Sequence, residues 1–555
     1  MRTPLKFLVA LALAVCAGHA AAQAEPEELN RQTLYELLLG EIAMQRGDYA
    51  LAAKTYLNLA RRLGDARIAR RAVEVASRGN QPDIAIEAAR VWVEREPASP
   101  QALQVLASML VSAQRVDEAE PILEKLLAAP GAAPENVFMQ LNRVLAGNPD
   151  KKANLRVVRK LAQRHARLPQ AHFAVAQAAA LAGDDAAAIA AARQGLELRP
   201  DWEQAVLLEA QLLQKRSPAE AAKRLSEFVE KNPSSRDARL AYARLLAAGK
   251  RYAEARAQFE AVLAANPGNT DVVYSVGIVA FQLKDYTAAE DYMKRLLNSR
   301  FRDPDGVRYL LGQIAEEQKR WPDAVRWYDQ IKDGDQAMPA RMRTANALAK
   351  QGKLDDARAY LRGLAKENPD QLAQLTVAEA QLLRDANLHR DAFDMLGEAL
   401  SREPDQPELL YDYALTAEKL ERFDLLEQNL RKLISVRPDH AHAYNALGYS
   451  FAERNMRLGE ARKLIEKALE ISPEDFFIID SLGWVQYREG NLKAAAATLR
   501  RAYGGRPDAE IGAHLGEVLW ALGERDEAKR IWQEALQAGP DNETLQKTIK
   551  RFQKP

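Results

Sequence analysis

Apolar residues recur along this chain at i, i+3, i+4 and i+7 in short runs, the spacing that puts them on one face of a helix. The runs come in pairs, and a proline usually closes each pair. Pro369, Pro404, Pro438, Pro473, Pro507 and Pro540 follow one another at intervals of 33 to 35 residues, and Pro200, Pro233 and Pro267 at 33 and 34. A fixed period in the thirties predicts a stacked array of helix pairs. Runs of alternating β-branched residues between turn signals, which would predict strands, are missing.

Each period carries the same small-and-large pattern. Twelve residues before the proline stands an alanine, as at Ala188, Ala221, Ala255, Ala357, Ala392, Ala495 and Ala528. Twelve earlier stands another small residue, as at Ala176, Ala243, Ala345, Ala380, Ala414, Gly483 and Gly516. Gly277 with Ala289 and Gly312 with Ala324 repeat the pair without the proline. Four residues after the alanine comes a bulky apolar side chain, among them Phe259, Met293, Tyr328, Leu361, Leu396 and Trp532. Small residues belong where helices cross, and bulky ones fill the hollows between them. Gly47-Asp48, Gly352-Lys353 and Gly490-Asn491 predict left-handed turns that end the first helix of a pair. Proline ends the second, since it lacks an N–H and restricts the residue before it.

This pattern resembles the tetratricopeptide repeat (TPR). Leu482-Gly483-Trp484, with Tyr487, Gly490, Ala495, Leu499, Ala502 and Pro507, is the fullest copy. The resemblance implies an all-α, right-handed superhelical solenoid of about 15 helix-turn-helix units. The units group as 33–131, a divergent helical unit at 132–168, 169–336 and 337–540, and residues 541–555 read as a capping helix. The divergent unit lacks the small-residue pair and is broken at Pro130-Gly131 and Gly147-Asn148-Pro149; Lys332-Asp333-Gly334-Asp335 is a polar joint. Each is read as a degenerate but stacked repeat, with a hinge as the alternative.

The N-terminus is a different kind of sequence. Arg2 and Lys6 precede an apolar run from Phe7 to Ala17, then Ala20-Ala21-Ala22-Gln23-Ala24. That is the layout of a secretory signal over residues 1–24 with cleavage after Ala22 or Ala24. The lone cysteine, Cys16, lies inside it. Either it is a bystander or it is a lipid-attachment site, although Val15 is larger than the small residue lipoprotein signals carry there. The expectation is an exported, periplasmic chain, bound to a membrane only if Cys16 is lipidated. Lys+Arg number 78 against Asp+Glu 77, with no basic block, so nothing marks a nucleic-acid partner.

The sequence offers no catalytic constellation. Phosphate-binding glycine loops, His-Glu-x-x-His and Gly-x-Ser-x-Gly are missing. His440 and His442, two apart on a helix, face different directions and read as solvated; Glu316-Glu317 and Asp355-Asp356 read as solvated faces. Neither a cofactor, a metal nor an enzymatic activity is expected.

In a TPR array the first helix of each pair lines the inner surface, and its inward positions are three before, one after and four after the small residue. In the last four pairs these positions hold Tyr411, Asn445, Tyr449, Asp480, Trp484, Tyr487, Glu517 and Trp520, with Arg488 beside them. Aromatic rings collected next to polar groups predict an exposed protein-binding strip. No two basic residues converge there, which argues against a clamp for a partner's terminal carboxylate.

The run Ala446-Leu447-Gly448-Tyr449, Asp480-Ser481-Leu482-Gly483-Trp484-Val485 and His514-Leu515-Gly516-Glu517-Val518-Leu519-Trp520 is similar to a group of proteobacterial exported TPR proteins. Its best-understood members are outer-membrane lipoproteins that bind a periplasmic carboxyl-terminal processing protease and present cell-wall hydrolases to it. The resemblance implies a non-catalytic adaptor with protein partners. A scaffold for polysaccharide export or outer-membrane assembly is the alternative.

Overall fold

The computed structural model describes residues 31–552. The proposed leader with Cys16, and residues 553–555, lie outside the described part. Among the described residues there are 31 α-helices and no strand. The chain divides into two compact units between Leu283 and Lys284. The first runs from the helix Arg31–Gln45 to the helix Thr270–Gln282, the second from Tyr286–Leu297 to Glu543–Phe552.

Within each unit the pairs pack as the small-and-large pattern requires. Ala255, Ala357 and Ala495 are fully buried. The small residue of the first helix meets the bulky residue of the second, sixteen positions on. A Cβ added to Gly312 would lie 2.3 Å from the ring of Tyr328, and one added to Gly516 would lie 2.1 Å from Trp532. Gly40 with Tyr56 and Gly483 with Leu499 repeat the contact. The glycine lets a large ring reach the helix axis and fill the space that an array of short helices leaves.

The divergent stretch keeps its place by other means. Its helices Pro134–Val144 and Lys151–Gln163 are joined by a 3-10 turn, Leu145–Gly147. Buried Asn154 donates to the Leu145 carbonyl at 2.8 Å and accepts from Asn148 at 2.8 Å. Arg156 and Lys160 of the second helix, and Arg164 just past its end, pair with Asp117, Glu120 and Glu124 of the helix Val116–Ala128. Phe138, Leu141, Val157, Val158 and Leu161 are buried and supply the packing of this stretch, while the three ion pairs lie towards solvent and add little.

The turns at Gly47, Gly352 and Gly490 are left-handed as expected, with φ of 78°, 79° and 86°, and Asn80, Gln114, Lys250, Lys319, Asn387 and Glu421 hold the same turn without glycine, with φ from 51° to 60°. A side chain there is strained against its own backbone. Gln114→Gly is therefore expected to raise stability by about 0.5–1 kcal/mol, after the extra chain entropy glycine loses on folding; chemical denaturation measures it, and a lower midpoint would contradict it. One expectation needs correcting: the charge runs are not all solvated. Glu317, Asp355 and Asp356 are exposed, but Glu316 is half-buried and bonded to Arg343. Glu209 is wholly buried and held by Arg193 at 2.6 Å and Arg224 at 2.7 Å.

The array's last helix, Glu543–Phe552, caps the end as expected. Asn542 accepts from the Leu545 N–H at 2.8 Å, the side-chain cap that starts the helix, and Leu545 is fully buried. No described helix is long and apolar enough to cross a membrane.

Candidate functional site

The inward positions of the last four pairs lie on the helices Pro407–Lys419, Ala441–Glu453, Phe476–Arg488 and Ala509–Leu522 of the second unit. Consecutive first helices stack side by side, so residues about one period apart become neighbours. Asp480 and His514, 34 residues apart, are the clearest instance: His514 Nδ1 lies 2.9 Å from Asp480 Oδ2. Tyr449 Oη lies 3.5 Å from the other imidazole nitrogen, and Trp484 stacks on the same ring, centroids 4.2 Å apart at 25°.

Burial separates the expected strip into two groups. Asp480 and Trp484 are each 5% exposed and Glu517 4%, so these three are covered by the array and not presented to a partner. Trp484 donates through Nε1 to Glu453 at 2.7 Å, with Arg488 over its face at 5.9 Å. Glu517 accepts from the Tyr487 hydroxyl at 3.3 Å and is bonded by Arg551 of the capping helix. Trp520 is half-buried because the cap reaches it: its ring stacks on Trp532 at 5.7 Å and meets Phe552 at 6.1 Å. Arg488 donates to the Glu453 carbonyl at 3.3 Å.

Tyr411, Asn445, Tyr449 and Tyr487 remain partly open. Tyr411 stands 5.3 Å from the His440 ring, and burial pushes its hydroxyl up to about 12. The Asn445 side-chain oxygen is buried without a hydrogen-bond partner. His440 is half-buried, not solvated; its Nδ1 accepts from the Ala443 N–H at 3.1 Å and caps the helix, and burial lowers its proton affinity. His442 is exposed.

His514 lies outside the expected strip. Burial alone would lower its proton affinity, but the adjacent Asp480 charge and hydrogen bond overcome that and raise it to about 9. It stands 34 residues after Asp480 but two before Gly516, one place off the inward position that Ala513 holds, so the repeat register alone does not mark it. Among the described residues no group of acids, cysteines and histidines is arranged to hold a metal ion.

Paired helices with a glycine or alanine under each large ring, stacked so that first helices form a common wall, define a helical-repeat scaffold. Models of the tetratricopeptide repeat match residues 70–136, 211–270, 250–307, 277–339 and 427–476, and a second such model matches 340–370. The chain is 34% identical over 536 residues to a TPR repeat-containing protein of Pseudomonas aeruginosa, covering 96% of this chain and 90% of that one. It belongs to the tetratricopeptide-repeat family. Among solved structures it is similar to a thermophilic TPR protein of Thermus thermophilus (23% identity, TM-score 0.30, 32% of this chain and 97% of that one). It is also similar to a tetratricopeptide repeat protein of Parabacteroides merdae (15% identity, TM-score 0.32, 51% and 99%). TPR proteins are generally non-catalytic scaffolds that mediate protein–protein interactions.

Proposed function

We propose that this chain is an exported, non-catalytic adaptor whose C-terminal repeats hold a protein partner on their inner wall. The observation that carries the reading is the wall itself. Tyr411, Asn445 and Tyr449 lie half-open on adjacent first helices, and the Asn445 oxygen lacks a partner inside the fold. The partner proposed is a periplasmic processing protease, with cell-wall hydrolases as clients held elsewhere on the array. Two sites on one body raise the local concentration of client at the protease without chemistry by the scaffold. The leader-like residues 1–24 support export, with cleavage after Ala22 or Ala24 and release into the periplasm; acylation at Cys16 would instead anchor the chain to the outer membrane.

Affinity capture from an envelope extract with the mature chain tests this, alongside the intact mass of the exported product. The expected result is recovery of a processing protease and a mature N-terminus at Gln23 or Glu25. Recovery of polysaccharide-export or outer-membrane assembly proteins in place of a protease would move the scaffold to that role. Retention of residues 1–24 in the cytoplasm would overturn the export reading.

A further inference from the structure

The first unit holds a pocket of about 200 Å³ between the helices Pro100–Ser112 and Pro134–Val144, the first helices of two neighbouring pairs. Its floor is apolar: Leu123 and Leu126 of the helix Val116–Ala128, and Leu141, are all buried. Its rim carries three carboxamides, Gln104, Asn136 and Gln140, all exposed. Gln104 stands at an inward position, three before the small residue Ala107. Among the described residues none bonds the side-chain amides of these three. No acidic or basic residue lines the pocket.

A second observation concerns the wall around it. The helices Pro100–Ser112 and Pro169–Leu181 both pack against Pro134–Val144, and neither contains an Asp, Glu, Lys or Arg, in a chain of which 28% is charged. The exposed polar side chains of Pro100–Ser112 are Gln101, Gln104, Ser108 and Ser112. A charged group brought here would lose its hydration and find no counter-charge, so the wall selects an uncharged occupant. A carboxamide presents both a donor and an acceptor, the same pair that a peptide group presents. Asn142 of this wall already bonds main chain, donating to the Ala174 carbonyl at 2.9 Å. Size narrows the choice further. An apolar cavity of about 150 Å³ holds a benzene ring, and this one, at about 200 Å³, has room for one phenyl side chain.

We propose that this pocket takes a phenylalanine side chain from an extended, uncharged segment of a partner protein. Gln104, Asn136 and Gln140 bond the main-chain N–H and C=O groups on either side of the ring. The apolar floor supplies the affinity and the amides fix the register of the segment. The site lies in the other compact unit from the wall of Tyr411, Asn445 and Tyr449. On the adaptor reading it is the place for a client, but its chemistry does not depend on that reading, and its failure leaves the C-terminal wall as it stands.

The test uses the full mature chain and a capped, uncharged heptapeptide, Gly-Ser-Gly-X-Gly-Ser-Gly, in which X is para-fluorophenylalanine, followed by fluorine NMR. Saturable broadening of the fluorine signal at millimolar peptide or below is expected. The unlabelled phenylalanine peptide should displace it, with the alanine peptide and octanoate each at least tenfold weaker as competitors. Val137 also lines the pocket and is only partly covered. Val137→Trp should fill the space and weaken binding at least tenfold while the melting temperature holds. Gln104→Ala with Gln140→Ala changes only exposed side chains and should weaken binding at least fivefold with the fold intact; it carries the test alone if Val137→Trp does not fold. No saturable broadening, equal displacement by the alanine peptide, or unchanged binding by the folded variants would each overturn the proposal. Tighter displacement by octanoate would also overturn it, and make the pocket an acyl-chain site.

Discussion

Replacing His514 by alanine is expected to cost roughly 3–5 kcal/mol, because it leaves the Asp480 carboxylate buried and without its counter-charge. The imidazole also fills the space between Trp484 and Tyr449, so part of the loss is packing. The same pair makes stability depend on pH. His514 binds its proton more tightly folded, at about 9, than its ordinary value of 6.5. The unfolded chain therefore gives the proton up first as pH rises. The pair's contribution is full below about pH 6.5, declines from there to about 9, and is gone above it. Urea midpoints of the last repeats should fall across that window in the parent and stay flat there in His514→Ala. A midpoint in the parent that does not change from pH 6.5 to 9.5 would contradict a charged His514.

The other large effect is at the array's end. Trp532 is 1% exposed and sits over Gly516, with Trp520 and Phe552 against its faces. Trp532→Ala should cost roughly 3–5 kcal/mol through lost burial and the cavity left behind. In a repeat array the damage stays near its source. Hydrogen exchange should accelerate first in the helices Ala509–Leu522, Arg525–Ala538 and Glu543–Phe552, while the helices from Pro407 to Ile471 keep their protection. Uniform loosening along the second unit would mean that the pairs do not behave as modules.

These two sites show where sequence reasoning reaches. The contact of Gly516 with Trp532 was legible because it lies within one repeat, where a fixed register of sixteen residues joins the small position to the large one. The inward positions were legible for the same reason. Their exposure was not, because it is decided by neighbouring repeats and by the cap. Asp480 is covered by His514 of the next repeat, and Glu517 and Trp520 by Arg551 and Phe552 of the final helix. Tyr449 packs against the apolar core of the last repeats and the His514 ring of the pair after next, and stays only partly covered. Position in the repeat says which way a side chain points; the residue one period away says whether anything meets it.

The left-handed turns carry a similar lesson. Glycine marks some of them, but Gln114, Lys319 and Glu421 hold the same backbone, because the packing of the two helices fixes the turn and the turn residue follows. The divergent pair at 134–163 likewise stays in the stack through buried Phe138, Val157 and Leu161 and the Asn154 hydrogen bond, although the small-residue signature is missing.

The central claim is that this chain holds one protein for another and does no chemistry itself. Reconstitution tests it most directly: a purified envelope client is incubated with the mature chain alone, with the captured protease alone, and with both. The account predicts no change in the client with the chain alone, slow cleavage with the protease alone, and cleavage accelerated at least tenfold with both. Cleavage or modification by the chain alone, or no acceleration when the two are combined, would contradict it.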